Sequence, residues 1–207
     1  MKKILSLLLV FVMCLSLFSC ASTPAPTKVA DTYLSAIKTN NTEQLSKVYA
    51  GDASDLNFKE EYGEMSDEVS EDFLKSFAEK LTSFEYKISN EAIKDDKATV
   101  DVAIKTYDLG KAFTSAITEY MQDGFGLALS GGSEEELNKM MQDKFTTALD
   151  NATFDYESTV KLHLSKTDKG WVVDKIGHNS EFANALTGGI ADASKELTDA
   201  FQDEETE

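Results

Sequence analysis

Hydrophobic residues recur along this chain with two different periods, and the switches between them mark its elements. From Lys28, the residues Val29, Tyr33, Leu34 and Ile37 repeat at helical spacing with Ala30 beside them, predicting an amphipathic helix that ends near Lys38 or Thr39. Asn41 or Thr42 can cap a second, shorter helix whose inner side is Leu45, Val48 and Tyr49, stopped by Gly51 and Asp52. Residues 52–68 are mixed and acidic, with Leu56, Phe58 and Tyr62 as anchors, and support only a loop or a short helical turn. A third helix over Ser70 to Thr82 carries Phe73, Phe77 and Leu81 on successive turns, with Leu74 and Ala78 alongside. Ser70 is its cap, and Glu71 and Asp72 suit the positive end of its dipole.

The period then drops to two. Phe84, Tyr86 and Ile88 alternate with Glu85 and Lys87, and after a turn at Asp95-Asp96-Lys97 the residues Ala98, Val100, Val102 and Ile104 alternate with Thr99, Asp101, Ala103 and Lys105. Helical spacing returns after Gly110 in Phe113, Ile117, Tyr120 and Met121, weakened near Gly124 and Gly126 and broken at Gly131-Gly132. Ser133 to Glu136 forms a capping box, and the next helix runs on Leu137, Met140, Met141 and Phe145 to Leu149. A strand with Tyr156, Ser158, Val160, Leu162 and Leu164 on one face follows from Phe154. Lys166 to Gly170 connects it to a partner strand carrying Trp171, Val172, Val173 and Ile176. Beyond Asn179, a weak helical pattern of Phe182, Leu186, Ile190 and Leu197 is interrupted by Gly188-Gly189.

Four strands with one apolar side each cannot bury that side alone, so the leading helices are expected to pack across it. The predicted class is α+β, with a curved, mainly antiparallel sheet whose halves are separated by a helical hairpin at residues 109–150.

Composition adds a location. Residues 1–19 begin with Lys2 and Lys3, continue as an apolar run from Ile4 to Leu17, and read as an export signal. That run is too short for a comfortable membrane span, which takes about 20 apolar residues. It ends in Leu17-Phe18-Ser19-Cys20, which resembles the bacterial lipobox. The resemblance implies cleavage before Cys20, lipidation of its sulfur, and a tether over residues 20–27, with Pro24 and Pro26 expected to keep that tether out of the first helix. The protein is thus expected to be held at the cell membrane on its extracytoplasmic face.

Cleavage there also changes the charge. The full chain of 207 residues carries 37 acidic and 20 basic side chains, a formal charge of -17. Loss of Lys2 and Lys3 leaves 18 lysines and a charge of -19. Every basic residue is lysine, so there is no guanidinium fork for a phosphate, and no dense lysine block offsets the negative charge. Nucleic acid is excluded as an expected partner. Cys14 leaves with the signal, so the domain has no disulfide and no cysteine metal ligand.

The pattern resembles the NTF2-like superfamily, a cone in which a bent sheet encloses leading helices. The resemblance is carried by VADTYLSAIKTNNTEQLSKVYA, by ATVDVAIKTY and by STVKLHLSKTDKGWVVDKI. In particular it is similar to small uncharacterised lipoproteins of Gram-positive bacteria that carry a helical insertion. It covers residues 28–177, and the segment 178–207 has no counterpart in it.

Candidate chemistry is sparse. His163 falls on the polar face of its strand and His178 at the start of a connection, so neither has the surroundings of a base or ligand. No H-E-x-x-H, G-x-S-x-G, P-loop or dinucleotide pattern occurs, and no catalytic residue, metal or cofactor is expected. By analogy with the superfamily, Tyr33, Tyr107 and Tyr156 could reach a cavity, with Asp101 on the sheet face opposite the apolar one. Phe113, Ile117, Met121, Met140, Met141 and Phe145, together with Phe125, form an apolar, methionine-containing set on the hairpin, suited to lining a ligand groove. The favoured expectation is a noncatalytic lipoprotein binding a small molecule, peptide or envelope partner. The alternatives are a structural or immunity-type accessory protein that engages a cationic protein, and a cofactor-free hydrolase or isomerase.

Overall fold

A computed structural model describes residues 24–53, 69–177 and 180–204, with side chains up to residue 200. The export signal, Cys20, Leu56, Phe58, Tyr62 and His178 lie outside the described residues.

Seven helices and four strands occur among the described residues. Helix α1 spans Pro26–Lys38, α2 Thr42–Val48 and α3 Glu71–Thr82. Strands β1 (Glu85–Lys94) and β2 (Lys97–Thr106) form a hairpin. Helices α4 (Leu109–Leu129) and α5 (Glu134–Asp150) follow, then β3 (Tyr156–Thr167) and β4 (Gly170–Val173). The chain ends with α6 (Glu181–Leu186) and α7 (Ile190–Glu204). The protein is therefore α+β, with an antiparallel sheet in the order β1-β2-β3-β4.

Helix α1 starts two residues earlier than its apolar period suggests. Pro26 does not hold the chain out of the helix. It occupies the first turn, where a missing N–H breaks no helical bond and the fixed φ already suits the helix. Side-chain oxygens of Asn41, Ser70 and Ser133 cap α2, α3 and α5, and at α5 Glu136 returns the bond to complete a capping box.

The sheet buries one face. Val100, Val102, Leu162 and Leu164 are fully buried against α1 and α6, with Tyr33, Leu34, Ile37 and Phe182 on the helical side. The opposite face carries Asp101, Lys105, Lys161 and the exposed His163. β1 is longer than its alternation indicates, because a bulge between Ser89 and Ala92, with Asn90 at φ 53°, shifts the register and hides the second half of the strand from a period-two reading.

Of the leading helices, α1 lies across β1, β2 and β4, whereas α3 packs against α5. The expectation that the leading helices share the sheet therefore holds for α1 and fails for α3. The phenylalanine stripe of α3 has found an apolar surface of its own, centred on Phe77, Leu81, Leu109 and Leu149. The sequence predicts a single C-terminal helix interrupted at Gly188-Gly189. The structure has two, and Phe182, Ala185 and Leu186 of α6 belong to the main core. At the break, Gly188 (φ 60°) and Gly189 (φ 83°) press against the start of α4, where the Gly110 amide donates to the Gly188 carbonyl at 2.9 Å.

Candidate functional site

Where α3 meets the α4–α5 hairpin, the surfaces do not close completely. They leave a groove of about 460 Å³. Its α3 wall is Phe73, Leu74 and Phe77, preceded by Val69 and Ser70; α4 supplies Phe113; α5 supplies Met141, Gln142, Phe145 and Thr146; and Thr187 and Ile190 close the end near α7. Both long walls exist because apolar residues fall on successive turns: Phe73 and Phe77 on α3, Met141 and Phe145 on α5. The four rings are continuous. Phe73 lies 6.1 Å from Phe77, Phe77 lies 5.7 Å from Phe113, and Phe113 lies 5.5 Å from Phe145, centroid to centroid.

Among the described residues, no side chain lining the groove is charged. Two of the three hydroxyls that line it among these residues, those of Ser70 and Thr187, are engaged with the chain's own backbone. Ser70 Oγ accepts from the Phe73 amide, and Thr187 Oγ1 donates to the Ala183 and Asn184 carbonyls. Neighbouring lysines are also engaged. Lys144 pairs with Glu119 at 3.1 Å and Asp123 at 2.7 Å, Lys139 pairs with Asp143 at 3.0 Å, and Lys80 sits 4.1 Å above the ring of Tyr107.

The residues singled out from the sequence do not share one place. Phe113, Met141 and Phe145 line the groove, while Ile117 and Met140 are half-buried outside it. Met121 is exposed on the outer part of α4, on the same line as Phe125 and Leu129, which are 69% and 73% exposed. Tyr33 is fully buried in the main core, its ring 5.3 Å from Tyr49 and 6.0 Å from Phe182, and its hydroxyl has no hydrogen-bond partner. Burial pushes its pKa upward. Tyr107 packs edge-on to Phe154 at 5.1 Å.

Tyr156 lines a separate, polar depression of about 840 Å³ between β3 and α7, together with Glu181, Asp192 and Asp199. Burial, then the nearby Asp192 and Asp108 carboxylates, raises its pKa. Asp101 lies on the open sheet face, where Lys161 at 2.7 Å and the Asn90 amide at 2.9 Å lower its pKa. Among the described residues, the arrangement brings no acid–base pair into the apolar groove. Sequence reasoning named the hairpin side of this groove and missed the α3 side, because Phe73 and Phe77 are equally well explained as core residues. The signal that could have distinguished them is the breadth of the stripe: Leu74 widens it beyond what one neighbouring helix covers.

No protein-family model and no curated protein matches the chain. Among solved structures, the chain is similar to that of a putative lipoprotein (ycdA) from Bacillus subtilis, at 17% identity and a TM-score of 0.48. The match covers 79% of this chain and 55% of the other, so the chain spans little more than half the length of that protein. No helix among the described residues is long and apolar enough to cross a membrane.

Proposed function

We propose that this protein is a lipid-anchored, extracytoplasmic binding protein that does no chemistry on its ligand, built as an NTF2-like cone with a helical insertion. The groove between α3, α4 and α5 carries the binding part of this reading, as an aromatic-walled concavity of about 460 Å³, within the range of about 300–1,000 Å³ typical of small-molecule sites. The noncatalytic part is supported by the groove's lining, which among the described residues holds no titratable group to act as acid, base or nucleophile. The anchor is supported by Leu17-Phe18-Ser19-Cys20 at the end of an apolar run that follows two lysines. One lipid chain gives only marginal membrane binding, and the lipid transferred to a lipobox cysteine is a diacylglycerol, which supplies two.

Growth with labelled palmitate, followed by release of the protein from its membrane and native mass spectrometry, tests both parts. The expected result is label that is lost on Cys20→Ala, together with a retained small molecule whose retention is weakened by Phe113→Trp, which narrows the groove. Absence of label overturns the anchor. A protein that never retains a molecule in the groove overturns the binding role.

A further inference from the structure

The lining of the groove restricts what can occupy it. Along α3 it runs from Ser70 to Phe77, about 10 Å at the rise of an α-helix, so it is longer than a single ring. The long walls are mostly phenylalanine with Leu74 and Met141, beside Gln142 and Thr146, and no charged side chain lies among the described lining residues. An ionised head placed inside would be desolvated without a partner. Neither Lys139 nor Lys144 of α5 lines the groove, and both are paired: Lys139 with Asp143 on its own helix, Lys144 with Glu119 and Asp123 of α4. The formal charge of the whole chain, -17, also disfavours an anionic head outside. Thr187 Oγ1 donates to backbone carbonyls and Ser70 Oγ accepts from the Phe73 amide, so Thr146 and Gln142 of α5 are the other polar groups of the described lining, set among mostly apolar side chains.

We propose that the groove holds the acyl chain of an uncharged lipid, with the lipid's head left at the solvent rim. This rests on the binding reading above and adds the class of ligand to it. A protein held at a bilayer by its own lipid sits where such molecules are concentrated, and a helix-walled groove accepts a chain lengthwise.

The test uses a monoacylglycerol with a photoreactive diazirine in its acyl chain, applied to membranes carrying the full chain, with adducts located by peptide mass spectrometry. Two further probes carry the same tail on a carboxylate or on a trimethylammonium head. Adducts are expected on the peptides containing Phe73–Phe77 and Met141–Phe145. The carboxylate probe should label at least tenfold more weakly. Met141→Lys places a cation at the groove edge, at a side chain that is 39% exposed and so tolerant of change. This variant is expected to depress labelling by the neutral probe about tenfold and to raise labelling by the carboxylate.

Labelling confined to the exposed Phe125–Leu129 face would overturn the inference. So would equal labelling by all three heads, or groove labelling that appears only after Phe58→Ser and Tyr62→Ser, which would assign the groove to the chain's own residues 54–68. A retained molecule without a hydrocarbon chain would overturn the ligand class and leave the binding role standing. A groove that is empty with every probe would overturn both.

Discussion

Substituting Gly188 should be among the most damaging single-methyl changes this protein can undergo. Gly188 has φ 60°, and a Cβ built there would lie 1.9 Å from the Tyr107 carbonyl oxygen and 3.0 Å from the Leu109 nitrogen. Both obstacles are backbone at the junction of β2 and α4, so no side chain can rotate away. Holding a residue with a Cβ in the left-handed region costs roughly 1–2 kcal/mol. Moving the α6–α7 link away from Tyr107 also strains the bond from the Gly110 amide to the Gly188 carbonyl, and a buried amide left unpaired costs about 1–3 kcal/mol. The expected loss for Gly188→Ala is about 3 kcal/mol.

Gly126→Ala is the matched control. It lies within α4, nothing stands within 4 Å of its added Cβ, and it should stabilise by about 0.5–1 kcal/mol through helix propensity alone. Trp171 is the only tryptophan and is 9% exposed in the main core, so urea unfolding followed by its fluorescence reports both variants. With a slope of about 2 kcal/mol per molar urea, Gly188→Ala should move the midpoint down by roughly 1.5 M, and Gly126→Ala should move it up by a few tenths. If the two glycines respond alike, or if Gly188→Ala leaves the midpoint unchanged, the close approach of the two links is not a feature of the folded protein.

Two tyrosines give further tests. Tyr33→Phe removes a buried hydroxyl that has no partner and should leave the protein as stable or up to about 1 kcal/mol more stable; a clear loss in the same urea assay would show that the hydroxyl is used. Tyr86 is raised to about 12, first by burial and then by the hydrogen bond it donates to Asp31 Oδ1 at 2.9 Å. Because the folded value lies above the unfolded one, near 10, this contribution to stability is complete below pH 10 and is lost as the pH rises through about 12. Absorbance titration at 295 nm should show a tyrosine ionising late, and Asp31→Asn should move that step to lower pH. An unmoved step would argue against the pair.

What could be read from the residues depended on how local each determinant was. The alternation from Ala98 to Ile104 predicts both the strand and its buried face, and the β2–β3 register leaves Val100 opposite Leu162 on that face. The caps at Asn41, Ser70 and Ser133 were equally legible, since a cap is a contact within four residues. Periodicity says which side of a helix is apolar and is silent about what that side touches. For this reason α3 was expected on the sheet, although its Phe77 lies against Phe113 of α4. The same limit applies to the hairpin: Met121, Phe125 and Phe145 look alike along the chain, and only the crossing of α3 over α5 puts Phe145 in the groove and leaves Phe125 outside. Asn90 hid the length of β1, because a single left-handed residue reverses the in-and-out sense of everything after it.

The helical hairpin leaves the sheet at Thr106 and returns at Tyr156, and these two residues are register partners. The Asp108 amide closes the base of the excursion on the Thr153 carbonyl at 2.9 Å. Pairing β2 with β3 therefore requires ends about fifty residues apart to find one another, a search that grows slower as the intervening chain lengthens. Helices α4 and α5 consist of local contacts, joined by a turn at Gly131-Gly132, and they form on a much shorter timescale than a strand pairing of that span. Once they lie side by side, Thr106 and Tyr156 are already neighbours. The insertion thus shortens the route by which the sheet closes, and the destabilisation from substitutions that loosen the α4–α5 pairing should appear mainly as slower folding rather than faster unfolding.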